Sequence, residues 1–211
     1  MVESKEKADR EIKRRLGIDV EHVCAMRGGL TYERQFYTKY ESGKFAGKIY
    51  GWPLQRGPWC NSRLKTAAID RCAKQSKDAV QYVGIAADEP ERLARLDGVK
   101  KVSPLAAVRW TEVDCRRWCE ENDLLSPIYA TSTRGGCWFC HNQGVDQLRQ
   151  LRHNYPDLWQ LMLKWDADSV RTFLPNGHTI HDYDKRFQME DNWHILPDKR
   201  FRWKMLDEES A

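Results

Sequence analysis

Cys137 and Cys140 stand two residues apart on a glycine hinge, in the stretch Arg134-Gly135-Gly136-Cys137-Trp138-Phe139-Cys140-His141-Asn142-Gln143. That spacing lets two thiolates from one tight turn converge on a metal or close a redox disulfide. Alone, the turn leaves four chemistries open: half of a zinc site, part of an iron–sulfur site, a thioredoxin-like dithiol, or two packed cysteines. Cys137-x-x-Cys140-His141 also spells the c-type haem attachment pattern. It is set aside, because that chemistry needs an exported protein and the first seventeen positions are charged where a leader needs an apolar run.

The chain has 211 residues, 41% hydrophobic and 31% charged, with nine Trp, which is enough to bury a real core without staples. No transmembrane run is present, so the expected compartment is the cytoplasm, with no membrane partner. There the seven cysteines read as metal ligands, reactive thiols or small buried hydrophobes rather than as a disulfide framework. A net charge of +4 is a mild bias toward anionic partners such as nucleotides or nucleic acid.

Along the chain, a helix over 3–15 ended by Gly17 leads to a strand over 19–26, an Arg27-Gly28-Gly29 turn and a helix over 31–40. Residues 42–58, rich in Gly and Pro, form an ordered loop. The loop delivers Trp59 and Cys60 to a helix with a stripe of Leu64, Ala67, Ala68 and Ile69. Arg56, Arg63 and Lys65 surround its first turns. The helix dipole there already favours anions, so a negative ligand accounts for these cations as well as solvated surface does. Residues 81–87 read as a buried strand, and Asp88-Glu89-Pro90-Glu91 as a capped helix start. Arg92 then lies near the strand's carboxyl end, where open α/β sheets bind ligands. Thr111 and Asp114 make a capping-box start, and Cys115, Trp118 and Cys119 share one face of the helix that follows, read as packing. Helices over 143–152, 155–173 and 179–190 close the chain, with a tail docked by Trp203 and Met205. His178 and His181 read as a surface pair at a helix start, not as metal ligands.

Taken together, the blocks YGWPLQRGPWCNSRLKT (50–66), YVGIAADEPERL (82–93), SPLAAVRWTEVDCRRW (103–118) and LLSPIYATSTRGGCWFCHNQ (124–143) resemble the phosphoadenosine-phosphosulfate (PAPS) reductase family of the PP-loop, or adenine nucleotide alpha-hydrolase-like, superfamily. The resemblance covers about residues 20–170. It implies an α/β fold: a three-layer, mostly parallel doubly wound sheet, N-terminally incomplete, with a helical C-terminal part. Residues 1–143 would be the partial α/β domain and 144–211 a helical extension packed on it. The resemblance further implies an adenine nucleotide, ATP or PAPS, with Arg56, Arg63, Lys65 and Arg92 meeting its phosphates or sulfate. In the iron–sulfur branch of the family the cluster ligands fall at positions matching Cys60, Cys137 and Cys140, with zinc as the alternative metal.

Two departures shape the expected function. The family's Ser-Gly-Gly-x-Asp-Ser loop is missing. So is the C-terminal Glu-Cys-Gly nucleophile, since the last cysteine is Cys140. Without an attacking thiol, sulfonucleotide reduction gives way to adenylation-linked sulfur transfer, and whether the chain is an enzyme stays open. The competing expectation is a non-catalytic relative whose metal site is structural and which binds nucleic acid or a protein. A fourth ligand is not given by the match. His141 adjoins Cys140, and Cys72 lies about 18 Å along a regular helix from Cys60.

Overall fold

The computed structural model describes residues 2–23, 30–53, 57–75, 78–130, 135–174, 177–195 and 201–208. In chain order the helices begin with α1 (Val2–Leu16), α2 (Tyr32–Phe36) and α3 (Trp59–Asn61). A π-helical segment, Ser62–Thr66, joins α3 to α4 (Ala67–Ala73). Strand β1 (Gln81–Tyr82), helix α5 (Pro90–Leu93), a 3₁₀ turn (Ala94–Leu96) and strand β2 (Lys101–Val102) follow. Then come α6 (Pro104–Ala107), α7 (Glu112–Glu121), a 3₁₀ turn (Pro127–Ala130), α8 (Val145–Asn154), α9 (Pro156–Asp168), α10 (Ile180–Asp191) and α11 (Met205–Glu208).

The expected three-layer, doubly wound sheet is not what the chain forms. Among the described residues the sheet is β1 beside β2, parallel, with Gln81 opposite Lys101 and Tyr82 opposite Val102. The physical reason lies in the run QYVGIAA. A parallel sheet needs strands covered on both faces, yet Tyr82 is 75% and Val102 43% exposed. Past Tyr82 one more ladder bond forms, Val83 N–H to the Val102 carbonyl, before the chain turns and Ile85 N–H bonds back to the Val83 carbonyl. Ile85 and Ala86 are buried, but beneath a loop: Ser103 Oγ donates to the Ile85 carbonyl, and Ala87 N–H donates to the Trp110 carbonyl. Residues 19–23 form no strand. The rest of that expected strand and the Arg27-Gly28-Gly29 turn lie outside the described residues.

The chain divides into two compact units. The first, Met1–Ala25 with Lys65–Gly135, holds the β1–α5–β2 crossover, the connection that a parallel pair requires. Its helix α7 starts at a capping box in which Thr111 accepts from Asp114 N–H and Asp114 accepts from Thr111 N–H. Asp88 caps the same end, accepting from Glu112 N–H at 3.0 Å. The expected packing face of α7 is half-buried rather than core: Cys115 and Cys119 are partly covered, and Trp118 is 40% exposed.

The second unit, Met26–Leu64 with Gly136–Ala211, carries the large hydrophobic cluster. Helix α9 packs against both α8 and α10, and the expected C-terminal helices are present. Pro156 opens α9, where its missing N–H is no loss. The buried positions Trp159, Met162, Trp165 and Asp166 recur at helical spacing, so one face of α9 meets Phe36, Trp52, Leu148, Leu151, Phe173, Ile180 and Phe187 in one core. At about 1.5–3 kcal/mol for each large apolar side chain removed from water, this cluster is the base on which the neighbouring side chains are held. Trp203 of the C-terminal segment stacks on His178 at 3.7 Å and meets Tyr183 edge-on, which gives His178 an aromatic partner.

Gly51 is a crossing point of this unit. Its φ is +62°, and a Cβ there would lie 2.3 Å from Ser169 Oγ. Its N–H donates to the Phe36 carbonyl, and its own carbonyl accepts from Trp59 Nε1 at 3.2 Å. Gly51→Ala is expected to destabilise this unit by about 2 kcal/mol, combining left-handed backbone strain with the clash. Urea titration followed by tryptophan fluorescence measures it.

Candidate metal–thiolate site

The two-cysteine turn is built by its own backbone and one side chain. Cys140 N–H donates to the Cys137 carbonyl and Gln143 N–H to the Cys140 carbonyl, each at 3.0 Å. Gln143 Nε2 then donates to the Cys137 and Trp138 carbonyls at 2.9 and 2.8 Å. The amide side chain thus clamps the turn from beneath, and His141 beside Cys140 is buried. Trp138 stacks on Trp165 of α9 at 5.5 Å, and Phe139 meets the same ring edge-on at 5.8 Å. Residues 137–140 are therefore anchored on the core by the two aromatics between the cysteines.

Cys60 comes from the other segment. Pro58 leads into α3, Trp59 is buried and bonded to the Gly51 carbonyl, and Cys60 is the next residue. The two segments meet on Tyr32, the first residue of α2, which is set by the Thr31 N-cap accepting from Arg34 N–H. The Tyr32 ring lies 4.0 Å from Phe139, 4.8 Å from Trp59 and 5.5 Å from Trp165, centroid to centroid. Because Phe139 sits within the Cys-x-x-Cys turn and Trp59 precedes Cys60, the segments that carry the three cysteines meet on one phenol. The electrostatics agree: burial pushes the Tyr32 hydroxyl far above the ordinary tyrosine range, and Cys60, Cys140 and Cys137 push it the same way.

Among the described residues, four buried polar atoms of this unit have no hydrogen-bond partner: Tyr32 Oη, Gln35 Nε2, Gln143 Oε1 and Trp165 Nε1. A buried polar atom left unpaired costs about 1–3 kcal/mol, so such atoms need a reason. Two of the four belong to side chains that pack against the cysteine segments, and a third to the clamp beneath the turn. The donor set suits a soft metal centre: three half-buried thiols whose thiolate forms prefer zinc or iron–sulfur iron. As arranged, no group of three or more His, Cys, Asp or Glu side chains among the described residues stands ready to hold a metal ion.

The residues expected to meet phosphates are distributed differently. Arg56 lies outside the described residues. Arg63 donates to Tyr50 Oη at 2.8 Å, lies over the Tyr50 ring at 4.8 Å, and reaches Gln35 Oε1 at 3.5 Å. It belongs to the unit that holds the cysteines, whereas Lys65 and Arg92 belong to the other. Lys65 is exposed on the π-helical segment. Arg92 is paired with Glu89, whose carboxyl it holds below the usual range, helped by the Ala86 N–H.

Sequence reasoning missed Tyr32, Gln143 and Trp165. Their roles rest on contacts between distant segments, and only the aromatic density around both cysteine segments hinted at them. Comparison with known proteins adds nothing to this geometry: no family model matches the chain, and neither a curated protein nor a solved structure matches it. No helix among the described residues is long and apolar enough to cross a membrane.

Proposed function

We propose that Cys60, Cys137 and Cys140 are thiolate ligands of an iron–sulfur cluster, with zinc as the alternative. The chain then works in the sulfur chemistry its resemblance to PAPS reductases implies, with adenylation-linked sulfur transfer ahead of sulfonucleotide reduction. The observation that carries this reading is the meeting of both cysteine segments on the Tyr32 ring. A bound cluster would supply electron transfer or a Lewis-acidic iron, and zinc would supply a structural lock. The chain's own residues do the rest. Gln143 fixes the turn, Trp138 and Phe139 anchor it on α9 and restrict water, and buried His141 is the nearest candidate for a fourth ligand. Iron, acid-labile sulfide and zinc quantified on anaerobically purified protein test the reading. Near-stoichiometric metal supports it, and a metal-free chain overturns it. Calorimetry with ATP and with PAPS tests the nucleotide separately.

A second reading, a metal-stabilised module that binds nucleic acid, is favoured by a column of planar groups in the same unit. Tyr40 and Tyr50 stack at 4.2 Å and 12°. Arg63 caps the Tyr50 side, and Arg171 lies over Tyr40 at 5.5 Å. Neither guanidinium has a carboxylate partner among the described residues, and Lys39, Lys44 and Lys48 are exposed on the same loop. Basic side chains interleaved with aromatics suit single-stranded nucleic acid. On this reading a fluorescent single-stranded oligonucleotide binds with salt-dependent affinity. The double variant Arg63→Ala/Arg171→Ala lowers the slope of log K against log salt by about 1.4, at roughly 0.7 per lost phosphate contact. Absence of binding at low salt rejects it.

A further inference from the structure

We infer that Tyr32 is a positioning residue of the thiolate site, its hydroxyl donating a hydrogen bond to the sulfur ligands that Cys60, Cys137 and Cys140 supply; this rests on the metal–thiolate reading. The Tyr32 hydroxyl oxygen is buried and has no partner among the described residues. Its ring is held by Phe139, Trp59 and Trp165, which fixes where the hydroxyl stands. A phenol is a donor at any pH the protein works at, and a donor in such a place is retained where an acceptor is expected. The segments that meet on its ring carry Cys60, Cys137 and Cys140, and the charges of these three bear on the hydroxyl. A neutral thiol is a weak acceptor, whereas a metal-bound thiolate or a cluster sulfide carries the negative charge that makes the bond strong. The Nε1–H of Trp165, without a partner among the described residues and on a ring that packs on Tyr32, Trp138 and Phe139, is a second donor on the same wall. Hydrogen bonds to its sulfurs are among the levers that set a cluster's reduction potential.

The test is Tyr32→Phe, which keeps the ring and removes the hydroxyl, with Tyr37→Phe as control because that hydroxyl donates to Asp168 at 2.6 Å instead. Both variants and the wild type are purified anaerobically and compared by far-UV circular dichroism, iron and sulfide content, and optical redox titration. Tyr32→Phe is expected to keep its fold and its iron while its potential moves to more negative values, because the extra electron is no longer stabilised by the donor. Tyr37→Phe is expected to leave the potential where it was. If the wild type carries zinc, the readout is chelator competition, with zinc affinity in Tyr32→Phe falling several-fold. Should Tyr32→Phe not fold, a solvent-deuterium shift of the metal–sulfur stretching frequencies in the wild type reports the same bond, and its absence refutes the inference. An unchanged potential or zinc affinity with full metal content overturns the role of Tyr32 and leaves the site standing. A wild type without metal overturns both.

Discussion

Cys60→Ser is expected to strip the proposed site of the metal assigned to it, taking iron or zinc from near-stoichiometric to background, and Cys137→Ser and Cys140→Ser should do the same. The loss exceeds the roughly 10–100-fold in affinity that removing an outer partner of a ligand costs, because a hydroxyl replaces one of the ligand thiolates themselves. Cys72→Ser and Cys115→Ser are the controls. Cys72 is exposed and Cys115 lies on α7, both in the unit that does not contain Tyr32, so metal content should be unchanged in each. Elemental analysis and visible absorption of anaerobic protein read the result. Equal losses in the first three and none in the controls assign the ligands, whereas loss in Cys115→Ser with none in Cys60→Ser would move the site elsewhere. Stripping metal from the wild type with a chelator should also lower its melting temperature, since a metal held by the folded state and not the unfolded one stabilises the fold by mass action. That shift should vanish in Cys60→Ser.

What could be read from the sequence divides along a physical line. Signals that act within one turn were legible: the capping box of Thr111 and Asp114, and the tight turn between Cys137 and Cys140. Signals that depend on a partner elsewhere were not. QYVGIAA has the composition of a buried parallel strand, but a strand is defined by what it pairs with, and here two residues pair before the chain turns away. The run 31–40 read as helix throughout, whereas α2 ends at Phe36 and Lys39 and Tyr40 bridge to Ile49 and Ala46 of the following loop. Tyr32 looked like an ordinary helix residue. Its place between the two cysteine segments comes from Trp59 and Phe139 packing on it from remote parts of the chain.

Asp166 is the second long-range device, and its removal should have the largest effect on stability. It is buried on α9, yet its carboxylate ties three parts of the unit together. Oδ1 accepts from Trp52 Nε1 at 2.9 Å, and Oδ2 accepts from the Ile180 and His181 N–H groups at 2.9 and 3.3 Å, satisfying the start of α10. Asp166→Ala strands three donors together, two of them buried, and at about 1–3 kcal/mol each, with partial relief by water, the expected loss is about 4 kcal/mol. For a chain of this size that is a fall of roughly 8–16 °C in melting temperature. Asp166→Asn keeps one acceptor but turns an amide N–H₂ toward a donor, so it should lose nearly as much. The pH dependence separates the two effects. Burial is the largest influence on this carboxyl and holds its pKa above the usual aspartate value, while Trp52, His181 and Ile180 pull the other way. A carboxyl raised in the folded state contributes its full stability below the unfolded value of about 3.9 and loses it as pH rises through the folded value. The stability gap between wild type and Asp166→Asn should therefore be widest near pH 4 and narrow toward neutrality. A gap that widens with pH would mean that the three donors outweigh burial and that the carboxylate is held as an anion.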